Sequence, residues 1–262
     1  MNNKTKSISL LGCGWLGLPL AHTLVESGYE VWGSTTTAAK FSTLEAAGVH
    51  PVLLQLSPEL SLPAVDPFFK NDVLIISLPP RRKTGSIVNY LLQLKEIAER
   101  IGEVRFKGIL LFSTTGVYSR DAMGSLREED ADTLNELWQA EEIIRSSSPR
   151  QTTVIRFGGL IGPSRHPGRF LAGKKGLLNG DEPVNLIHQK DAVGITRAII
   201  EKNIWGETFN AVAANHPSRK EFYTRAAASL GLELPEFLPD RPSPDRVINA
   251  DKVRTKLSYS FE

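Results

Sequence analysis

Apolar positions in this chain fall into runs and stripes that alternate along its length. Ile8–Leu11, Asp72–Ser77 (DVLIIS) and Lys107–Ser113 (KGILLFS) are nearly continuous apolar runs, the mark of strands buried on both faces. Glu30–Gly33 and residues 51–54 predict two more strands. Between them the period changes to that of a helix. Leu16, Leu20 and Leu24 fall at i, i+4 and i+8, with Gly28 at the C-terminal cap. Thr84–Ile101 carries Ile87, Leu91, Leu94, Ala98 and Ile101 on one face, with Gly102 closing it. Ala192–Ile200 is a further helical run, and Asp191 is its expected N-cap. Strands alternating with helices predict an α/β fold, a doubly wound sheet of about seven parallel strands.

The first strand runs straight into Gly12-Cys13-Gly14-Trp15-Leu16-Gly17 and then into a helix. Strand, glycine turn and helix is the context in which G-x-G-x-x-G signifies dinucleotide binding. Gly12 permits the tight turn, Gly14 lets a pyrophosphate approach the backbone, and Gly17 lets helix and strand pack closely. Pro19 predicts an irregular first helical turn. In such folds an acid about 20 residues on accepts from the ribose 2′-hydroxyl and favours NAD. Here Ser34, Thr35 and Thr36 follow the second strand, with Lys40 beyond them and no acid. That set favours NADP over NAD, although Thr36 or Thr37 could equally cap a helix carrying a solvated Lys40. Leu78-Pro79-Pro80 stops the fourth strand at the sheet edge where ligands bind. Leu78 and Pro79 therefore join the cofactor set, as does Ser113 at the end of the fifth strand. Arg81, Arg82 and Lys83 follow as either a phosphate contact or a solvated basic loop.

Composition narrows the partners. Among 262 residues, 31 basic and 29 acidic side chains give a net charge of +2, no argument for nucleic acid. No apolar run approaches the roughly 18 residues of a membrane span. One cysteine, Cys13, excludes an internal disulfide and suits a cytoplasmic protein. Cys13 reads as a packing residue of the turn. Five scattered histidines show no metal-ligand spacing.

After Lys107–Ser113 the chain continues Thr114-Thr115-Gly116-Val117-Tyr118. Here it resembles the extended short-chain dehydrogenase/reductases, which include nucleotide-sugar epimerases and dehydratases. Thr153–Pro163 resembles that family's sixth strand and Gly-Pro loop. Asn185–His188 with Asp191 resembles its Ile-His-x-x-Asp element, and Glu207–Ala213 its returning strand. Arg246–Asp251 and Lys256–Phe261 resemble its C-terminal segment. The resemblance implies an oxidoreductase or epimerase-like activity on a small polar substrate, nucleotide-linked or phosphorylated. It implies that Thr114 supports catalysis and that Tyr118 either packs beneath the pocket or replaces a missing acid/base.

The departures are specific. The family's chemistry rests on Tyr-x-x-x-Lys on the helix after the fifth strand, here Asp132–Ser146. That segment holds neither residue, and no Tyr-x-x-x-Lys occurs anywhere in the chain. The tyrosine place falls on Leu134 or Trp138, and the lysine place on Trp138 or Glu142. Leu11 stands where a further glycine is usual. The chain is thus similar to an atypical branch, the bacterial YeeZ-type group. A non-catalytic NADP-binding sensor or scaffold is the alternative function. The expected architecture puts residues 1–158 and 188–214 in a dinucleotide-binding domain. Residues 159–187 and 215–262 form a small substrate lobe, where Arg165, His166, Arg169, Lys174 and Lys175 either hold an anion or lie in a solvated loop. His188 reads as a structural histidine at a strand end.

Overall fold

The computed structural model describes residues 6–55, 66–80, 86–239 and 245–261. Its first half runs β1 (Ser7–Leu11), α1 (Gly17–Glu26), β2 (Glu30–Thr35), α2 (Phe41–Ala46) and β3 (His50–Leu53). There follow α3 (Asp66–Phe69), β4 (Val73–Ile76), α4 (Ile87–Glu103), β5 (Gly108–Thr114), β6 (Gly124–Leu126) and α5 (Glu136–Ser147). The second half runs β7 (Thr152–Phe157), β8 (Gly159–Ile161), α6 (Gly168–Leu171), β9 (Leu186–His188) and α7 (Gln189–Glu201). β10 (Thr208–Ala211), α8 (Arg219–Ala228), β11 (Arg246–Ile248) and α9 (Asp251–Leu257) complete it.

Seven strands form one sheet in the order β10-β7-β5-β4-β1-β2-β3, and every pair is parallel. Alternation sorts the side chains. Ile8, Leu10, Val73, Ile75, Leu110 and Phe112 face α1 and α7. Leu11, Leu74, Ile76, Ile109 and Leu111 face α4 and α5. Both faces are covered, which is why the strands read as continuous apolar runs. The strand order reverses between β1 and β4. There the carboxyl ends open a crevice, the position at which such sheets bind ligands.

Outside the sheet, β8 pairs with β9 and β6 with β11, while α6 packs on α8. The C-terminal helix goes elsewhere: Val253 and Leu257 of α9 join the core on the α7 face.

Three local expectations change. The α4 helix begins at Ile87 because the Ser86 hydroxyl accepts from the Val88 amide at 3.1 Å, and Gly102 lies inside it rather than ending it. Asp191 does not cap α7. His188 does, its Nδ1 accepting from the Lys190 amide at 3.2 Å. Asp191 is instead the third helical residue, buried, with the Tyr259 hydroxyl donating to it at 3.1 Å. Pro19 does not interrupt α1: Leu18 N–H bonds the Gly14 carbonyl at 3.0 Å and Leu20 N–H the Leu16 carbonyl at 3.2 Å, on either side of it. The Trp15 carbonyl, which a residue-19 amide would have met, accepts instead from Gln189 Nε2 at 2.7 Å. Thr84 and the cations Arg81, Arg82 and Lys83 lie outside the described residues.

Candidate functional site

The three glycines of the first turn differ in what surrounds them. Gly12 has φ +102°, and a Cβ there would sit 2.6 Å from the Ser77 carbonyl oxygen. A Cβ on Gly17 would lie 2.2 Å from the Gly12 carbonyl oxygen. At Gly14 nothing comes within 4 Å of a Cβ, so the backbone is bare toward the crevice. The amides of residues 15–17 precede the first intrahelical bond, from Leu18 N–H to the Gly14 carbonyl at 3.0 Å. Such an N-terminus is built to face an anion. Cys13 points the other way, into Gly33, where a Cβ would fall 2.6 Å from its sulfur. Burial pushes its thiol up to about 12, against the opposing influence of Lys40.

Two cavities meet at Gly14. The outer, of about 480 Å³, runs from the glycine turn past Ser34, Thr35, Thr36, Lys40 and Gln55. Two of these hydroxyls are already engaged. Ser34 Oγ accepts from the Gly12 amide at 2.9 Å, and Thr35 Oγ1 from the Thr37 amide at 3.2 Å. Thr36 and Lys40 are exposed and line the cavity. Thr37 stands at the N-cap of a short 3₁₀ turn, Ala38–Lys40, without a side-chain cap bond.

The inner cavity, of about 290 Å³, lies between the ends of β4, β5 and β7. Leu78 and Pro79 line both cavities. Ser113 and Thr114 line the inner one at the end of β5. The face of α5 that meets this space carries Leu137, Ala140 and Glu141. The sequence register, Leu134 or Trp138 with Trp138 or Glu142, is therefore off. Asn135 caps the helix by accepting from the Leu137 amide at 2.9 Å. Leu134 lies before that cap, 85% exposed. Trp138 packs against the Val117–Tyr118 cluster, and Glu142 pairs with Arg145 at 2.7 Å.

Behind this face lies a network that sequence reading missed. Glu141 and Arg156 are almost completely buried and form a forked pair, Nε to Oε1 at 3.0 Å and Nη2 to Oε2 at 2.8 Å. The Ser113 hydroxyl donates to Glu141 Oε1 at 2.6 Å. Arg156 Nη1 donates to the Tyr118 hydroxyl at 3.1 Å, and Tyr118 donates to Asn210 Oδ1 at 2.6 Å. Burial pushes the phenol up, and Arg156 offsets this only in part. Tyr118 is thus fully engaged, and it is not one of the cavity's lining residues. A visible signal was Arg156 itself, a cation inside TVIRF: buried charges need partners.

At the mouth of the inner cavity, the Trp15 ring lies under the Arg165 guanidinium, 4.9 Å from it. Trp15 Nε1 donates to Ser164 Oγ at 2.6 Å, and a Cβ on Gly162 would come 2.9 Å from the ring. The other cations after Pro163 do not line it. Lys175 pairs with Glu236 at 2.9 Å. His166 Nδ1 accepts from the Gly168 amide at 3.2 Å and lines a separate groove with His188 and Arg225. Among the described residues no cluster of metal ligands occurs, and no helix is long and apolar enough to cross a membrane.

No family model matches the chain. It is 32% identical to Protein YeeZ of Escherichia coli strain K12 over 265 residues, covering 98% of this chain and 96% of that one. Among solved structures, the Bordetella bronchiseptica enzyme WbmG in complex with NAD superposes with a TM-score of 0.80 at 18% identity, covering 100% of this chain and 90% of the other. UDP-glucuronic acid 4-epimerase from Bacillus cereus, in complex with UDP-glucuronic acid and NAD, gives 0.77 at 19%, over 98% and 94%. With the glycine turn, the Val-Tyr segment and the parallel sheet in place, the chain belongs to the YeeZ-type group, a branch with the fold of the NAD-dependent epimerases and dehydratases.

Proposed function

We propose that this protein binds a nicotinamide dinucleotide across Gly12–Gly17, prefers NADP, and acts as an oxidoreductase or epimerase-like enzyme. Its substrate is a small polar molecule, nucleotide-linked or phosphorylated. The carrying observation is the bare backbone at Gly14, open at the point where the two cavities join. The adenosine end would occupy the outer cavity and the nicotinamide the inner one, where it would supply or accept a hydride. Preference for NADP rests on Thr36 and Lys40, with no carboxylate among the described residues lining that cavity. One charge-assisted contact is worth roughly 1.5–3 kcal/mol, about tenfold to hundredfold in affinity. Exposure of Lys40 puts the expectation at the lower end. Thr114 is the catalytic candidate, because it lines the inner cavity; its Oγ1 accepts from the Gly116 amide at 3.2 Å. Tyr118 is a positioning residue that acts through Arg156. Residues 159–187 supply the substrate side, and a cytoplasmic setting suits the lone free thiol.

A second reading, a redox sensor or scaffold without turnover, is favoured by α5. Its cavity face, Leu137, Ala140 and Glu141, offers no phenol and no ammonium. A general acid/base contributes about 10²–10⁴ in rate, so ordinary carbonyl substrates should turn over slowly. Calorimetric titration with NADP and NAD tests the binding claim. Wild type should favour NADP, Lys40→Ala should narrow the gap, and Gly14→Val should bind neither. A wild type that binds neither cofactor ends both readings. NADPH oxidation across a carbonyl panel then separates them: turnover lost in Thr114→Ala marks an enzyme, and binding without turnover marks a sensor.

A further inference from the structure

We infer that Arg165, carried on the face of Trp15, grips an anionic group of the substrate, a phosphate or carboxylate, at the mouth of the inner cavity. The inference rests on the dinucleotide reading and assigns the residue that holds the substrate's anionic part. Among the described residues lining this cavity there are two charges, Glu141 and Arg165. The carboxylate of Glu141 is committed to Arg156 and Ser113. Arg165 has no carboxylate partner within the described structure. Its guanidinium carbon lies over the Trp15 ring, 4.9 Å from the ring centroid. A guanidinium over a ring keeps N–H donors for a contact with oxyanions.

The platform is itself fixed. Trp15 is tied to Ser164 through Nε1, its carbonyl to Gln189, and the close backbone at Gly162 abuts its ring. Arg165 is further held by a backbone bridge, its amide donating to the Gly162 carbonyl at 3.0 Å. A preorganised cation loses little freedom on binding. The rest of the wall is largely apolar, including Leu78, Leu137, Phe157 and Leu160. A neutral polyol would find few partners there, while an anion finds one strong one. The cofactor's own pyrophosphate is the competing source of the same chemistry. Arg165 lines the inner cavity and not the outer one, which favours the substrate.

The test titrates inorganic phosphate, UDP and uridine into the full-length protein, with and without saturating NADP, by calorimetry and by tryptophan emission. Wild type should bind phosphate and UDP but not uridine, with an emission change that Trp15→Phe abolishes. Arg165→Ala should weaken phosphate and UDP at least tenfold, and Arg165→Lys should recover only part. NADP affinity of Arg165→Ala should stay within twofold of wild type. Unchanged phosphate binding in Arg165→Ala overturns the inference, as does a wild type that binds neither phosphate nor UDP. An equal loss of NADP affinity in Arg165→Ala also overturns it, assigning the guanidinium to the cofactor. Failure of wild type to bind NADP would sink the dinucleotide reading instead, and the phosphate titration without cofactor would still judge Arg165.

Discussion

Gly14 and Gly17 stand three residues apart and tolerate a Cβ very differently. Gly17→Ala drives a methyl to 2.2 Å from the Gly12 carbonyl, a backbone atom that cannot swing away. It should cost about 2–4 kcal/mol, within the range of severe single substitutions. A Cβ at Gly14 meets open space, so Gly14→Val should leave the melting temperature nearly unchanged. Thermal denaturation of both variants checks this; a Gly14→Val as unstable as Gly17→Ala would contradict it. The glycine pattern was readable in the sequence because each position answers to backbone sterics alone. The hydroxyl cluster was less so. Ser34 looked like a ribose or phosphate contact, yet it is spent on the Gly12 amide. A hydroxyl can serve backbone or ligand, and composition does not say which. Thr36, not Ser34, is therefore the place to introduce an acid that favours NAD.

At the scale of elements, α5 and β7 are joined through the Glu141–Arg156 fork. Breaking one partner of such a buried pair typically costs about 3–5 kcal/mol, because the other charge is stranded. Glu141→Gln and Arg156→Met should each reach roughly that range in urea unfolding. The Glu141→Gln/Arg156→Met double variant should cost less than the sum of its singles. Strict additivity would show the two side chains to be energetically independent. The helix itself was anticipated, but its facing was not. Each residue of an α-helix turns the chain by about 100°. A one-residue difference in register thus exchanged Trp138 and Glu142 for Leu137 and Glu141 at the cavity. The position of the Asn135 cap decides that register, and local pattern does not display it.

The whole molecule is organised by the parallel sheet, and its parallel, doubly wound character followed from the alternation of apolar runs and helical stripes. The smaller pairings did not. β6 meets β11 across more than a hundred residues of chain, and three-residue strands carry no period to read. Long-range ties also set the response to acid. Burial raises the Asp72 carboxyl, but the Lys6 and Ser7 amides and Lys107 more than offset it and hold it below its ordinary range. Glu207 is likewise held low by Lys256 and Lys252 against its own burial. A depressed carboxyl stabilises the fold above its unfolded pKa, and that contribution is lost as pH falls through the folded value. Stability should therefore decline below about pH 4. Asp72→Asn should cost about 1–2 kcal/mol near neutrality. The gap from wild type should close in acid. A gap that stays constant from pH 7 to strongly acidic conditions would refute this account.

Cys13 is the chain's single sulfhydryl, and it is wedged against Gly33 beneath the glycine turn. Its burial makes it a poor target for a disulfide reagent until the turn lifts from β2. The chain therefore carries its own stopwatch. The rate at which a thiol-specific dye reacts, compared with a free thiol at the same pH, reads out how often this corner of the sheet opens. A dinucleotide that binds only the closed turn must slow that clock by one plus the ratio of ligand concentration to Kd. Labelling slowed in that proportion by NADP, and by less with NAD, would report cofactor choice without any substrate in hand. Labelling indifferent to either would mean that the turn opens with its ligand still attached, or never held one.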